Sequence, residues 1–401
     1  MEFAAVFRKE LSALWGDGKG VSLVAIATGW GLLNGVRMVY PVIIPYLQAD
    51  YNLSLTVAGL LVTVLWFFAA IGQLPGGILA DRYNERALMA VSTVIVAAAL
   101  GLVVTSSSPV ILFFATAIWG LGHSLYPIAR ITLLSKLYSE RLGSALGVTM
   151  ATGDLGQTVL PPIAGAFAAV IAWQIGLGFV APLLVLAGLS IFAMSSGYAS
   201  TEGSTNTRSI WETLNVVTEL RNPAMGFMTG ILFLYMFIWQ SFTAFYPTYL
   251  TTVKGLSSQS AGILFGFFFA VGVVVKPVAG VAYDRIGMRK SLIGILTPAT
   301  AGFLLLPALN DIWLLGGITA LISTMLGTGA VTQSFLADSF SDESQGAGLG
   351  VIRTLTASLA AGGPVLFGVV GDYGYFNEGY IVLAVIMALV VTLTFWMPEE
   401  N

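Results

Sequence analysis

Twelve stretches of roughly twenty apolar residues, separated by short polar turns, leave this chain few ways to fold. They lie near 22–46, 55–79, 87–106, 109–135, 144–170, 173–196, 224–248, 258–282, 290–308, 312–337, 345–371 and 377–397. Only 9% of the residues are charged and 57% are hydrophobic, where a soluble domain carries about 25% charged residues. A water-soluble core cannot absorb that much apolar surface, so lipid is the expected solvent. In lipid every backbone polar group must find a partner within the chain, which leaves helices or closed barrels. Barrel strands alternate in short segments, whereas these runs are long and continuous. The expected fold class is therefore an all-α membrane protein with twelve transmembrane helices.

Loop charges set the expected orientation. With the N-terminus inside, the cytoplasmic segments carry Arg8, Lys9, Lys19, Arg82, Arg86, Lys136, Arg141, Arg208, Arg221, Arg285, Arg289 and Lys290, and the outside loops carry only Lys254. Both termini are then cytoplasmic. The first run spans about 25 residues; it is too long for a signal-peptide core and lacks a small-residue cleavage site, so it reads as an uncleaved first span. The longest polar stretch, 197–221, divides the chain into a bundle at 1–196 and a bundle at 222–401. Within it Ser209–Glu212, "SIWE", fits a capping box ahead of a short amphipathic helix. Phe3–Trp15 reads as a second surface-lying helix.

The two bundles repeat one another. Adding 203 to a position in the first lands on its partner: Gly77 on Gly280, Asp81 on Asp284, Arg82 on Arg285, Arg86 on Arg289, Glu140 on Glu343, Gly147 on Gly350, Pro161 on Pro364 and Gly165 on Gly368. One offset held through four spans means two copies of a six-helix unit. Each copy starts from the same side, so they are parallel and related by an axis along the membrane normal.

The loop between the second and third spans reads "GGILADRYNER", and its later copy reads "GVAYDRIGMRK". This pair resembles the signature G-x-x-x-D-R-x-G-R-[RK] of the major facilitator superfamily of secondary transporters. Asn84 stands where glycine is usual and Glu85 where a basic residue is usual. Asn tolerates the left-handed conformation better than most residues, so the departure at 84 is mild. Pro127 and Arg141 match the family's connection between helices 4 and 5. The resemblance covers the whole chain and implies two pseudo-symmetric six-helix bundles that rock about a central cavity. It implies that Gly77, Asp81, Arg82, Arg86, Gly280, Asp284, Arg285 and Arg289 form a conformational latch between the halves. It also implies that helices 1, 4, 7 and 10 line the cavity, with 2, 5, 8 and 11 beside them.

Charge inside a span is costly, roughly 2.5–3.5 kcal/mol even on lenient scales, and it marks function. Arg37, Arg130, Asp154, Lys276 and Arg353 fall on spans 1, 4, 5, 8 and 11, all cavity-lining or flanking. Four positives against one negative point to a cavity that attracts anions, and arginine matches carboxylate or phosphate geometry. Basic residues on spans 8 and 11 are similar in position to those of the family's oxalate/formate exchangers. The candidate substrate-binding residues are Arg37, Arg130, Lys276 and Arg353, joined at helical spacing by Tyr40, His123, Tyr126, Trp239 and Gln240. Structural alternatives stay open: Arg130 bridging to Asp154, Lys276 reaching the interface, Arg353 meeting Asp81 or Asp338. Asp154 and His123 are the candidate proton carriers, with sodium coupling or exchange as alternatives.

Other classes fare worse. A net charge of −3 does not suit nucleic acid. Without cysteine and with one histidine there is no thiol nucleophile and no multi-histidine metal site. "GDGKG" (Gly16–Gly20) lacks the spacing and the Ser/Thr of a phosphate loop, so neither an ATP-driven pump nor an enzyme is expected. No cofactor is expected. The expected partners are a small anionic substrate and the bilayer of the cell membrane, with the chain a monomer. Proton symport of an organic anion leads. Drug or lipid-like efflux is the alternative, favoured if Arg130 and Arg353 prove paired and the cavity aromatic; here Leu160 before Pro161 degrades the antiporter signature. A non-transporting receptor or scaffold of the same fold is a third reading.

Overall fold

The computed structural model describes residues 14–15, 19–194, 223–339 and 345–397. The expected capping-box helix at 209–212 and most of the N-terminal segment lie outside these residues. Among the described residues there is no strand, as a chain that must satisfy its own backbone in lipid requires.

Ten helices are long and apolar enough to cross a membrane. Two further spans complete the twelve. Ser258–Ala308, at 51 residues, is spans 8 and 9 run together across Gly287, whose φ of 78° and ψ of 171° break the helix. Leu142–Val170 is the fifth span, 29 residues long and less apolar because it carries Thr149, Thr152, Asp154 and Gln157. Helix starts are fixed locally. Ser54, Asn84, Ser108, Ser257 and Asp311 each accept from a backbone N–H of the first turn, at the head of spans 2, 3, 4, 8 and 10. Asn84 therefore differs from expectation. It is extended, at φ −62° and ψ 123°, and caps its helix through Arg86 and Ala87; only the second copy uses a positive-φ glycine.

Spans 2, 4, 6, 10 and 11 are each broken into two segments. The breaks in spans 4 and 10, at Leu125 and at Thr324–Gly327, fall at matching depth. Spans 1 and 5 pack backbone to backbone: a Cβ on Gly35 would lie 2.6 Å from the Gly156 carbonyl oxygen, and one on Gly156 only 2.0 Å from that of Gly31. Small residues permit such contact, and dispersion then holds the helices together where lipid supplies no hydrophobic drive.

Each half has its own apolar core, and Met38, Val42, Ile44, Ala58 and Val62 of the first half are buried in the core of the second. The seam between halves follows the repeat. A Cβ on Gly59 would lie 2.4 Å from the Pro364 carbonyl oxygen, and one on Gly262 3.0 Å from that of Pro161. Likewise Gly368 meets the Leu55 oxygen at 2.4 Å and Gly165 the Ser258 oxygen at 2.9 Å. These contacts all lie at the face bearing the turn between spans 1 and 2, the closed face. Asp372 seals it: its carboxylate accepts from Leu55 N (2.7 Å), Thr56 N (2.9 Å) and Thr56 Oγ1 (2.5 Å), so span 11 caps the start of span 2. Tyr46 Oη donates to Ser258 Oγ at 2.9 Å.

At the opposite, basic face the same helices have parted. Gly147 and Gly280 lie eighteen residues, about five turns, from Gly165 and Gly262 and so on the same helix faces. A Cβ on either, or on Gly350, would meet nothing within 4 Å.

The candidate substrate site between the halves

Span 1 carries Trp30, Asn34 and Arg37 at i, i+4 and i+7, a spacing that stacks them on one face. Asn34 Nδ2 donates to the Trp30 carbonyl oxygen at 2.9 Å, and its Oδ1 accepts from Arg37 Nη2 at 3.1 Å. That orients the guanidinium over Trp66 of span 2, 4.2 Å from the ring centroid. Trp66 in turn meets Trp239 of span 7 edge-on, with centroids 5.0 Å apart. A cation in front of an indole is stabilised by the ring quadrupole without being neutralised, so this stack carries Arg37 across the seam with its charge intact.

A second stack lies nearer the basic face. Arg130 of span 4 sits 4.1 Å from the Trp30 ring centroid and donates through Nη1 to Thr149 Oγ1 at 2.7 Å. Tyr126 lies nearly parallel to the same indole, and His123 tilts toward it, each with centroids 6.1 Å away. Several buried polar atoms of this layer have no partner: Arg37 Nε, Thr63 Oγ1, His123 Nε2, Arg130 Nε, Trp239 Nε1 and Gln240 Oε1. Buried polar groups are nearly always hydrogen-bonded, and four of these atoms, Arg37 Nε, His123 Nε2, Arg130 Nε and Trp239 Nε1, belong to side chains of the two stacks, which makes the stacks a place for something polar.

The remaining charges fall into two kinds. Lys276 Nζ lies 2.5 Å from Asp154 Oδ1, an ion pair joining spans 5 and 8 across the halves. This corrects the expectation of Lys276 as a free ligand, and it also removes Asp154 from Arg130. Asp154 and Lys276 meet because the halves pack along spans 5 and 8. Arg353 is exposed and lines a small cavity with Tyr235, Thr332 and Gln333 near the basic face. Among the described residues, Arg37 and Arg130 have no acidic partner; the side chains of Asp81 and Asp338, the alternative partners expected for Arg353, lie outside the described ones. The ion pair removes one charge of each sign from the five.

Two expected ligands are placed in packing instead. Tyr40 is fully buried, its hydroxyl 2.7 Å from Thr116 Oγ1 and its ring edge-on to Trp119. Tyr126, also fully buried, donates to the Ile26 carbonyl oxygen at 2.7 Å. Each hydroxyl is already used between spans 1 and 4. Trp30 and Trp66 escaped sequence reasoning, although the seven-residue step from Trp30 to Arg37 was available as a signal.

The described contacts of the latch residues run within their own halves. Arg86 Nη1 donates to the Met194 carbonyl oxygen at 3.0 Å, tying span 3 to the end of span 6. Arg289 makes the same bond to Met397 in the second half. Gly77 approaches Ile128 of its own half, Gly280 approaches nothing, and Asp284 and Arg285 are exposed. The side chains of Asp81 and Arg82 lie outside the described residues. Each motif copy thus braces its own bundle while the basic face is open.

The chain is 23% identical over 390 residues to a hexuronate transporter of Bacillus subtilis, covering 90% of this chain and 91% of that protein. It is 21% identical to a nitrite extrusion protein of the same organism (94% and 93% covered) and 27% identical to a probable nitrate/nitrite transporter of Mycobacterium tuberculosis (75% and 75%). Among solved structures, the nucleoside transporter NupG superposes with a TM-score of 0.81 at 13% identity, covering 94% of this chain and all of that one. A bacterial homologue of the lysosomal transporter Spinster, inward-facing and unoccupied, gives 0.80 at 13% identity, with 95% and 97% covered. The model of the Major Facilitator Superfamily matches residues 25–362 and 233–401, and with its doubled six-helix architecture the chain belongs to that superfamily.

Proposed function

We propose that this transporter carries a small organic anion, bearing a carboxylate or phosphate, across the cell membrane by rocking its two halves about the Arg37 layer. The observation that carries this reading is the pair of tryptophan-stacked arginines, Arg37 and Arg130, with no acidic partner among the described residues and with unpaired polar atoms around them. The relatives named for hexuronate, nitrate and nitrite share only the negative charge of their cargo, which agrees with a site defined by cations. Drug or lipid-like efflux called for Arg130 and Arg353 to be paired off, and Arg130 has no acid beside it among the described residues.

Arg37 and Arg130 hold the anionic group, with His123, Trp239 and Gln240 around it. Arg353 draws anions in from the basic face. With that face cytoplasmic, as the loop charges indicate, the conformation described is inward-facing. Bound anion neutralises the layer and lowers the cost of closing it away from water. The Asp154–Lys276 pair is the coupling element: protonating Asp154 removes an ionic tie between the halves. The latch motifs engage across the halves when the basic face closes.

Thermal-shift titration of the purified chain with anionic and cationic metabolites, followed by counterflow in proteoliposomes, tests this reading. Stabilisation by carboxylates that Arg37→Ala abolishes is the expected result. Stabilisation by amines alone, or full anion counterflow in Arg37→Ala, refutes it. A proton gradient should drive uptake and a sodium gradient should not.

A further inference from the structure

The repeat gives Arg37 and Arg130 counterparts in the second half: adding 203 to each leads to Gln240 and Gln333. Both cations of the first half are thus matched by neutral amides at the same depth on spans 7 and 10. Gln240 is 1% exposed. Its Nε2 donates to the Ala357 carbonyl oxygen at 3.3 Å, and its Oε1 has no partner. Trp239, the preceding residue, touches the Trp66 ring that Arg37 covers. The repeat therefore pairs a guanidinium on span 1, which only donates, with an amide oxygen on span 7, which only accepts.

We infer that Gln240 selects for anions that carry a hydrogen-bond donor, such as a hydroxylated carboxylate, over anions with acceptors only, such as nitrate. The inference rests on the anion reading above and gives that site its polarity. The carboxylate lies toward Arg37 and the hydroxyl toward Gln240. Nitrate or an unhydroxylated acid leaves Oε1 unpaired and faces it with further lone pairs or with carbon. A site built to hydrogen-bond a hydroxyl discriminates strongly against analogues lacking one.

The test compares binding of gluconate and 4-hydroxybutyrate with that of butyrate and nitrate, by competition and thermal shift on the purified full chain. The hydroxylated acids should bind about tenfold or more tightly than butyrate or nitrate. In Gln240→Met, which keeps the length and removes the acceptor, that advantage should fall below about twofold. Gln240→Glu keeps an acceptor but adds negative charge opposite Arg37, and it should weaken every anion. Equal wild-type affinity for nitrate, butyrate and the hydroxylated acids overturns the inference while leaving the anion reading standing. So does a Gln240→Met protein that keeps the tenfold preference, or a Gln240→Glu protein that binds as the wild type does. A wild type that binds none of the four anions overturns both.

Discussion

The two halves of this transporter are nearly the same object in their packing and different objects in their chemistry. Gly59 against Pro364 is repeated by Gly262 against Pro161, and Gly368 against Leu55 by Gly165 against Ser258. Arg86 tied to Met194 is repeated by Arg289 tied to Met397. Around the central layer the correspondence fails. Trp30, Arg37, Trp66, His123 and Arg130 have Phe233, Gln240, Phe269, Leu326 and Gln333 as counterparts. Contacts that must slide over one another in both halves keep their small residues, because a seam that rocks needs matching surfaces. A ligand with two unlike ends imposes no such symmetry, and there the copies have diverged.

Removing Arg37 should separate the halves most sharply. Arg37→Ala should weaken anion binding by about 100-fold, in the range found when one partner of a buried charged contact is truncated. Gln240→Met, at the counterpart position, should cost the hydroxylated substrates most, by about tenfold. Competition binding on both variants measures the contrast. Equal losses would mean that the two walls share the charge-recognition role and that the proposed polarity is wrong.

The seam is next. Gly59→Ala drives a methyl to within 2.4 Å of a backbone oxygen on the closed face, whereas Gly350→Ala meets open space at the basic face. Overpacking costs about 1–3 kcal/mol, so Gly59→Ala should shift the population toward the state open at the other face by roughly tenfold. Gly350→Ala should leave the present state intact, or stabilise it slightly through lost chain entropy, by about 0.4–1 kcal/mol. Because the chain has no cysteine, a single Val62→Cys reporter, buried where span 2 enters the second half's core, reads the difference by its labelling rate. A Gly59→Ala protein whose reporter stays protected would show that the closed face yields without opening.

The motif copies differ in a smaller but cleaner way. Gly287 has φ 78° and ψ 171°, a region essentially closed to side chains, so Gly287→Ala should cost about 1–3 kcal/mol. At the matching position Asn84→Gly should cost only a few tenths of a kcal/mol, since glycine is a tolerable N-cap. Paired unfolding midpoints decide it; equal costs would mean that the cap at Asn84 matters more than its geometry suggests.

These differences explain what the sequence could disclose. The twelve spans and the offset of 203 were legible because hydropathy and repetition are local properties. Arg37 and Arg130 stood out because charge in lipid is expensive. Their tryptophans did not, since an aromatic ring inside a span reads first as packing. The Asp154–Lys276 pair depends on how spans 5 and 8 dock, which no periodicity within one helix encodes. Asn84 was misread because the pattern suggests a glycine substitute, whereas the chain solves the turn there with a cap. Tyr40 and Tyr126 share faces with charged residues, yet their hydroxyls are consumed between spans 1 and 4.

Asp372 was invisible for a further reason: a carboxylate at a helix end looks like ordinary surface. Its counterpart at 169 is alanine, so at the closed face the seam between spans 2 and 11 carries a carboxylate that the matching seam between spans 5 and 8 lacks. The carboxylate takes three donors from the first turn of span 2, and in opening the closed face all three must be surrendered together. Asp372→Asn keeps one acceptor oxygen and loses the negative charge at the helix N-terminus, which at this exposed position should favour opening by about 1 kcal/mol, or roughly fivefold. The Val62→Cys reporter should label correspondingly faster. Ala169→Asp, placing the same group on the opposite seam near Ser258, should slow labelling if closure is set by charge at the two seams. Labelling unchanged by either substitution would leave the glycine contacts as the whole of the lock, and the two halves would then be alike at the closed face in chemistry as well as in shape.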